Sequence, residues 1–346
     1  MRKIVTGRTI AAISVVGVFS LLAALHGQPG PRDQLLLAVA EGEGALALIK
    51  IEGKTLTPIK KLPIGKGGRE VCVAPDGKHA YVSNAADNTM TAIDLDAQTV
   101  IATIALPGIK RPDGCAASPD SKKLYVAGME SGNVAIISAD TNQVLTTVEA
   151  GKEPRRFVFT SDGRHLYVTS EDAKTIRIMD AVSGKIVGSF ESGGQGPRIL
   201  VPLPDQKTLL VANVDDDSVS LINAATQKVD LTVGAGGSPQ RVAISRDGAW
   251  AFVLAVIEQK ISVIDLKGEH IRAKKFVAVG HGPYGMAMSD DGSLLFVSNA
   301  RDNELAAYET SAINAIPVHT PLQRVEPVVR LTLKAPMGMA VRSGSK

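Results

Sequence analysis

The sequence predicts an all-β chain that folds as a seven-bladed β-propeller with four strands in each blade. Three observations predict this fold. One short stretch recurs seven times, its copies follow a period in the low forties, and a surplus strand at the C-terminus can close the ring. A fixed period of that length without helical periodicity is typical of a propeller blade.

The repeated stretch is clearest as "YVSNAADNTMTAID" at residues 81–94, where two short strand-like runs flank an Asp-Asn pair. Its runs alternate apolar and polar residues, which predicts strands. Further copies occupy residues 36–50, 124–138, 166–180, 209–223, 251–265 and 295–309.

A turn precedes most copies, and it commonly reads Asp-Gly, the strongest short hairpin signal. Its aspartates are Asp76, Asp120, Asp162, Asp205, Asp247 and Asp291, spaced 44, 42, 43, 42 and 44 residues apart. A carboxylate repeated in almost every blade is typical of a turn residue, so we assign these aspartates a structural role.

The two ends of the chain predict how the ring closes. The copy at 36–50 has no strand before it, whereas "MGMAVRSGS" at 337–345 is left over and can complete that first blade. Closure would protect the edges that an open array exposes. The last blade contains an insertion, residues 309–327 with two prolines, which predicts a long surface loop.

Residues 1–34 are predicted to form a separate leader, and residues 35–346 the propeller. A basic start precedes an apolar run at 9–25, the layout of a secretory signal. No clean cleavage site follows, so the run is either a signal peptide or an N-terminal membrane anchor. Both alternatives predict export to the periplasm or the cell exterior.

The chain has two cysteines, Cys72 and Cys115. Each lies in a predicted strand of adjacent repeats, but at positions offset by one. We therefore expect two buried thiols rather than a disulfide.

Together, "YVSNAADNTMTAID" and "APDG" resemble the YVTN-repeat β-propeller family, and the resemblance covers nearly the whole predicted propeller. It implies the propeller fold but leaves the activity open, because similar propellers include lactonases, a lyase and parts of redox enzymes.

The loops that enter the first strand of each blade predict a basic mouth of the central channel. Read in register, they supply the candidate ligand-binding residues Lys66, Arg69, Lys110, Lys152, Arg155, Arg198, Arg241, His281 and Tyr284. The loops between the second and third strands are acidic, which predicts a basic funnel inside an acidic ring. Cations that converge on a narrow mouth attract an anion more strongly than the net charge of +3 suggests.

His281 and Tyr284 are also the candidate catalytic residues, because both belong to this mouth and histidine titrates near neutral pH. Asp215–Asp217 form an acidic run that resembles a Ca²⁺ site, but a solvated hairpin tip is favoured. No metal site is predicted, since no two histidines have metal-ligand spacing within a motif.

The favoured function is an exported binding module, a monomeric propeller that recognises an anionic small molecule or protein partner. The alternatives are a lactonase-like or lyase-like enzyme and an accessory to periplasmic redox chemistry. The sequence carries no covalent haem motif, nucleophile elbow, zinc-protease motif or phosphate-binding loop, and no specific nucleic-acid motif. It therefore names no cofactor, and a non-catalytic role is favoured.

Overall fold

A computed structural model describes residues 34–268, 271–318 and 322–344 of the chain. The predicted signal or anchor at 9–25 lies outside the described residues. Within them, no helix has the length and apolar character needed to cross a membrane.

The described chain is built almost entirely of short strands. The first three are β1 (Leu35–Ala40), β2 (Ala45–Glu52) and β3 (Thr55–Pro63). The next four are β4 (Gly68–Val73), β5 (His79–Asn84), β6 (Thr89–Asp94) and β7 (Thr99–Ala105). They are followed by β8 (Pro112–Ala117), β9 (Lys123–Gly128), β10 (Asn133–Ser138) and β11 (Gln143–Glu149).

The second half continues the pattern. It contains β12 (Pro154–Phe159), β13 (His165–Ser170), β14 (Thr175–Asp180), β15 (Ile186–Glu191), β16 (Pro197–Pro202), β17 (Thr208–Asn213), β18 (Ser218–Asn223) and β19 (Lys228–Gly234). Next come β20 (Pro239–Ile244), β21 (Trp250–Ala255), β22 (Lys260–Asp265), β23 (Arg272–Ala278), β24 (Pro283–Met288), β25 (Leu294–Asn299) and β26 (Glu304–Glu309). The chain finishes with helix α1 (Thr310–Ala315), β27 (Gln323–Arg324), β28 (Val329–Thr332) and β29 (Pro336–Arg342). Two 3-10 turns occupy Glu41–Glu43 and Ala300–Asp302.

These strands form seven sheets, which are the seven blades, numbered here in chain order. Blade 1 has the order β29-β1-β2-β3, so the C-terminal strand supplies its first position. β29 runs antiparallel to β1, with Leu35 opposite Arg342 and Ala38 opposite Met339. The predicted fold class and ring closure are both confirmed.

The first strand of each blade lines the channel. These seven strands (β4, β8, β12, β16, β20, β24 and β29) contact one another in a closed cycle. The apolar core lies between neighbouring blades rather than at the axis. Leu36, Phe296 and Met339, for example, pack between blades 1 and 7. Ring closure is therefore a hydrophobic contact as well as a strand pairing.

The Asp-Gly turns work as predicted. In the turn after β4, Asp76 Oδ1 accepts a hydrogen bond from the backbone N–H of Lys78 at 2.7 Å. Gly77 adopts a positive φ of 64°, a conformation that glycine reaches without steric cost. The repeated aspartate is thus a turn residue, placed at the end of the inner strand opposite the mouth.

The insertion in blade 7 differs from the predicted loop. Its described part contains α1, which buries Ile313 against the core between blades 6 and 7. It also contains β27, which pairs in parallel with β23 as a fifth strand of blade 6. Covering an exposed sheet edge limits pairing with other chains.

The prediction of free thiols is wrong. Cys72 on β4 and Cys115 on β8 form a disulfide, with 5.9 Å between their Cα atoms. The offset by one position does not separate them, because the first strands of neighbouring blades lie side by side and are not held in register by a ladder. The disulfide links two sheets that share no backbone pairing.

Candidate anion site at the channel mouth

The mouth is formed where the seven inner strands begin. The second residues of these strands are Arg69, Asp113, Arg155, Arg198, Gln240, Tyr284 and Met337, and the third residues are Glu70, Gly114, Arg156, Ile199, Arg241, Gly285 and Gly338. Five arginines therefore reach one end of a narrow channel. We use the name arginine cluster for a group of five arginines and three carboxylates: Arg69, Arg155, Arg156, Arg198 and Arg241 with Glu70, Asp113 and Glu171.

Asp113 is the innermost carboxylate of the cluster and is fully buried. Its Oδ2 atom lies 3.1 Å from Arg155 Nη1, and its Oδ1 atom lies 3.5 Å from Arg69 Nε and 3.6 Å from Arg156 Nη1. Burial alone would raise the pKa of Asp113, but Arg156, Arg69 and the neighbouring arginines hold it well below its usual range. Asp113 is therefore a permanent anion that holds three arginines together.

Glu70 lies across the channel axis. Its Oε1 atom accepts hydrogen bonds from Arg156 Nη2 and Arg241 Nη2, which come from blades 4 and 6, whereas Glu70 belongs to blade 2. Burial would lower the pKa of Arg156, but Glu70 and Asp113 raise it above its usual range. One carboxylate thus serves two guanidinium groups.

Glu171 reaches the cluster from the acidic loop between β13 and β14. Its Oε1 atom lies 2.9 Å from Arg198 Nη1, and its Oε2 atom pairs with Arg155 Nη2. The sequence places Glu171 in the outer acidic ring, so its inward role was missed. Nothing in the repeat separates it from the neighbouring Asp172, which pairs with exposed Lys152 instead.

Tyr284 completes the cluster on the side of blade 7. Its phenol oxygen accepts a hydrogen bond from Arg69 Nη2 at 2.9 Å. The Arg241 guanidinium carbon lies 4.8 Å from the centre of the tyrosine ring, a cation–π distance. Tyr284 therefore helps to hold Arg69 through its phenol oxygen and Arg241 through its ring.

The cluster carries an excess of positive charge. Five arginines face three carboxylates, of which Asp113 and Glu70 are buried and Glu171 is 18% exposed. A fourth carboxylate, Glu153, approaches Arg155 only to 3.9 Å from the solvent side. Burial lowers the pKa of Arg241. Glu70 acts to raise that pKa, whereas the positive charges of Arg156 and Arg198 lower it, and the net shift is downward. Among the described residues, the Nε atoms of Arg69, Arg155 and Arg198 are buried without a hydrogen-bond partner. Two positive charges of the cluster are left without a carboxylate of the cluster to balance them.

The other predicted ligand residues lie farther out. Lys66 and Lys110 are exposed, and Lys152 is 73% exposed beside Asp172. His281 is 70% exposed, and its Nδ1 atom lies 2.9 Å from Asp302 Oδ1. The structure thus unites Arg69, Arg155, Arg198, Arg241 and Tyr284 and leaves the lysines and His281 on the rim.

The acidic loops have a structural task that the sequence did not reveal. Their side chains accept hydrogen bonds from backbone N–H groups of the entry loops, for example Asp87 from Lys66 at 2.6 Å and Asp302 from His281 at 2.6 Å. Asp216 and Glu258 bind the same positions in blades 5 and 6. The run 215–217 therefore ties loops together, as the hairpin-tip interpretation allows. In the described ranges, no three His, Cys, Asp or Glu side chains are grouped to hold a metal ion.

A cavity of about 410 Å³ opens beside the cluster between blades 2 and 3. Arg69, Lys110 and Arg111 line it together with Glu41 and Glu130. Arg111 Nη1 pairs with Glu130 at 3.2 Å. Arg69 belongs to both the cavity and the cluster, so the cavity gives a route from solvent to the buried charges.

Comparison with known proteins supports this architecture. Residues 26–188 match the family described as lactonase, 7-bladed beta-propeller, and residues 191–325 match the YNCE-like beta-propeller family. A search of curated proteins gives no match.

Three solved structures illustrate the range of similar propellers. The chain is similar to a putative 6-phosphogluconolactonase from Bacteroides fragilis (14% identity, TM-score 0.75, covering 90% of this chain and 98% of that one). It is similar to Kuenenia stuttgartiensis hydrazine synthase (21% identity, TM-score 0.69, covering 79% of this chain and 88% of that one). It is also similar to a dihydro-heme d1 dehydrogenase (18% identity, TM-score 0.65, covering 88% of this chain and 74% of that one).

At these identities the structural matches show the fold alone. The YVTN resemblance remains a finer prediction than the two family matches provide. Each match covers less than half of the chain, so the two families are what its two parts are similar to, while the fold itself is that of a seven-bladed β-propeller.

Proposed function

We propose that this chain is an exported propeller that binds an anionic ligand, or an anionic group of a partner protein, at the arginine cluster. The observation that carries the proposal is the buried excess of two positive charges among five arginines and three carboxylates. Buried cations without counter-ions are costly, so an anion that neutralises them gains more than it would at an exposed site.

The geometry of the arginines favours a multi-oxygen anion. A guanidinium group donates in a planar fork that matches carboxylate, phosphate or sulfate oxygens. The cavity at Arg69 supplies room for such a group next to the cluster.

The direct test is isothermal titration of the protein with sodium sulfate at low ionic strength, compared with Arg69→Gln. Arg69 lines the cavity, and glutamine removes its charge without placing a new carboxylate beside Asp113. We expect one saturable sulfate site in the unaltered protein and at least about tenfold weaker binding in the variant, since a hydrogen bond to a charged group contributes about 1.5–3 kcal/mol.

Arg164→Gln is the matched control, because Arg164 is 81% exposed in the turn at the other end of the channel. It should leave the sulfate affinity unchanged. Equal weakening in both variants, or no saturable binding to the unaltered protein, would contradict the proposal.

Lactone hydrolysis is the second candidate, favoured by the match of residues 26–188 to the lactonase family. Water adds to the lactone carbonyl, the ring C–O bond breaks, and a hydroxy acid is released. Tyr284 is the candidate for proton transfer, because its phenol oxygen lies at the mouth and is hydrogen-bonded to Arg69, which lines the cavity. This candidate function expects ring opening of glucono-δ-lactone by the unaltered protein, measured by acid release, and loss of that activity in Tyr284→Phe.

Export rests on the leader and is supported by the Cys72–Cys115 disulfide, since disulfides persist in oxidising compartments. Fractionation of cells that express the full chain tests it. Recovery in the cytoplasmic fraction with reduced cysteines would contradict export. An accessory role in redox chemistry would require co-purification with a cytochrome or dehydrogenase from the same compartment.

A further inference from the structure

We propose that Glu70 is a tethered internal carboxylate that makes the arginine cluster selective for dianions over monocarboxylates. This inference rests on the proposed function. Among the third residues of the seven inner strands, Glu70 is the single carboxylate, and it meets two arginines from other blades. It therefore occupies the place that the carboxylate of a ligand would take.

The placement of Glu70 is specific. Blades 2, 4 and 6 contribute Glu70, Arg156 and Arg241, so the three side chains approach the axis from well-separated directions. One atom, Oε1, accepts from both guanidinium groups. The three side chains are only 6% to 12% exposed. An entering anion finds these two axial donors already engaged.

Glycines make room for this arrangement. A Cβ atom at Gly338 would lie 2.8 Å from the Cα and Oε2 atoms of Glu70 and 2.5 Å from the backbone oxygen of Arg69. At Gly114 it would lie 2.0 Å from the backbone oxygen of Arg155 and 2.7 Å from Arg156 Nη1. Real Cβ atoms do not approach so closely, so these positions must lack a side chain for Glu70 and Arg156 to take their places.

The tether explains the selectivity. A group attached to the protein acts at an effective concentration in the millimolar range or above. A free monocarboxylate offers the same chemistry as Glu70 and must compete with it at that concentration. A dianion brings one charge more and matches the two positive charges left in excess, so it gains Coulomb energy that Glu70 alone does not supply.

The experiment titrates the full protein and Glu70→Gln with sodium sulfate and sodium acetate at low ionic strength. The unaltered protein should bind sulfate without measurable acetate binding. Glu70→Gln should gain at least about tenfold in acetate affinity, because the tethered competitor is gone. Glu326→Gln is the matched control: it makes the same charge change at a side chain that is 68% exposed beside Arg330, outside the arginine cluster and its cavity, and it should gain no acetate binding.

A second measurement covers the chance that altered packing hides the effect. Glu70→Ala leaves Arg156 and Arg241 without their shared carboxylate and should lower the melting temperature. Acetate should restore part of that loss, and chloride at the same concentration should not, because a ligand that binds only the folded state stabilises it.

The outcomes separate the two proposals. Absence of sulfate binding to the unaltered protein would overturn the proposed anion site itself. Sulfate binding without any acetate gain in Glu70→Gln, and without acetate rescue of Glu70→Ala, would leave the anion site standing and overturn the role of Glu70.

Discussion

The two ends of the inner strands carry charged residues of opposite design. At the turn end, the aspartates of blades 2 to 7 make similar local hydrogen bonds, as Asp291 does with Ser289 and Ser293. At the mouth, the second positions of the inner strands hold arginine, aspartate, glutamine, tyrosine or methionine, and the charged ones have partners in other blades. Repetition at one end serves the fold, whereas the departure from repetition at the other end marks the place where function can reside.

The largest expected loss of stability comes from removing β29, the inner strand that closes the ring in blade 1. Deletion of residues 335–346 removes β29 and with it the contacts of that strand to β1, β4 and β24. We expect a loss of about 5 kcal/mol or more in the free energy of unfolding, measured by urea denaturation. Deletion of only 343–346, which spares β29, is the control. An unchanged midpoint in the longer deletion would show that the ring is held without this strand.

The next-largest loss of stability is expected from reduction of the Cys72–Cys115 disulfide. The disulfide closes a loop across 43 residues and joins β4 to β8, which carry Arg69, Glu70 and Asp113. Its reduction should cost about 4 kcal/mol by the loop-entropy argument. Denaturation with and without reductant measures this, and a Cys72→Ser, Cys115→Ser protein should not respond to reductant. Equal response of both proteins would mean that reductant acts elsewhere.

A substitution within the cluster tests its buried carboxylate. Asp113→Asn leaves three arginines without their permanent anion and should cost about 3 kcal/mol, since breaking a buried pair exposes uncompensated charge. Thermal denaturation at neutral pH provides the measurement. A cost below that of a turn aspartate would remove the distinction between the two ends.

The pH dependence of the same variant gives an independent check. The pKa of Asp113 is depressed in the folded state, so its stabilising contribution is fully present above the unfolded value of about 3.9 and is lost as pH falls through the folded value. The stability difference between the unaltered protein and Asp113→Asn should stay constant from about pH 7 to 5 and narrow below about pH 4. A difference that already narrows near pH 6 would contradict this assignment.

At the turn end, Asp291→Ala should lower the free energy of unfolding by only about 1 kcal/mol, because the hydrogen bonds of Asp291 with Ser289 and Ser293 are local and partly solvated.

The smallest effect on stability is expected at the rim. His281→Ala removes a side chain that is 70% exposed and should change stability by less than about 0.5 kcal/mol. Its sulfate affinity should also be unchanged, and marked weakening would return His281 to the binding site.

The sequence was sufficient for the repeated part of this molecule. The strands, the Asp-Gly turns and the closure by residues 337–342 follow from periodicity, because each blade solves the same packing problem. The register of the entry loops groups Arg69, Arg155 and Arg198, and these three arginines lie at the same position of their inner strands.

The features that the sequence does not predict are contacts between blades. The disulfide, the pairing of Glu171 with Arg198 and the sharing of Glu70 by Arg156 and Arg241 join residues that no local pattern relates. The sequence also groups the rim lysines with the arginines, because both residue types are positively charged and occur in the same entry loops. Burial separates them, because the arginines begin the inner strands and the lysines lie on the loops before them.

The most direct test of the central claim is to locate a bound dianion in crystals of the protein grown with sodium selenate, using the anomalous signal of selenium. We predict a peak within hydrogen-bonding distance of at least two arginines of the cluster. Peaks confined to rim residues such as Lys66 and Lys152, with none at the arginine cluster, would contradict the claim that the buried charge excess is an anion site.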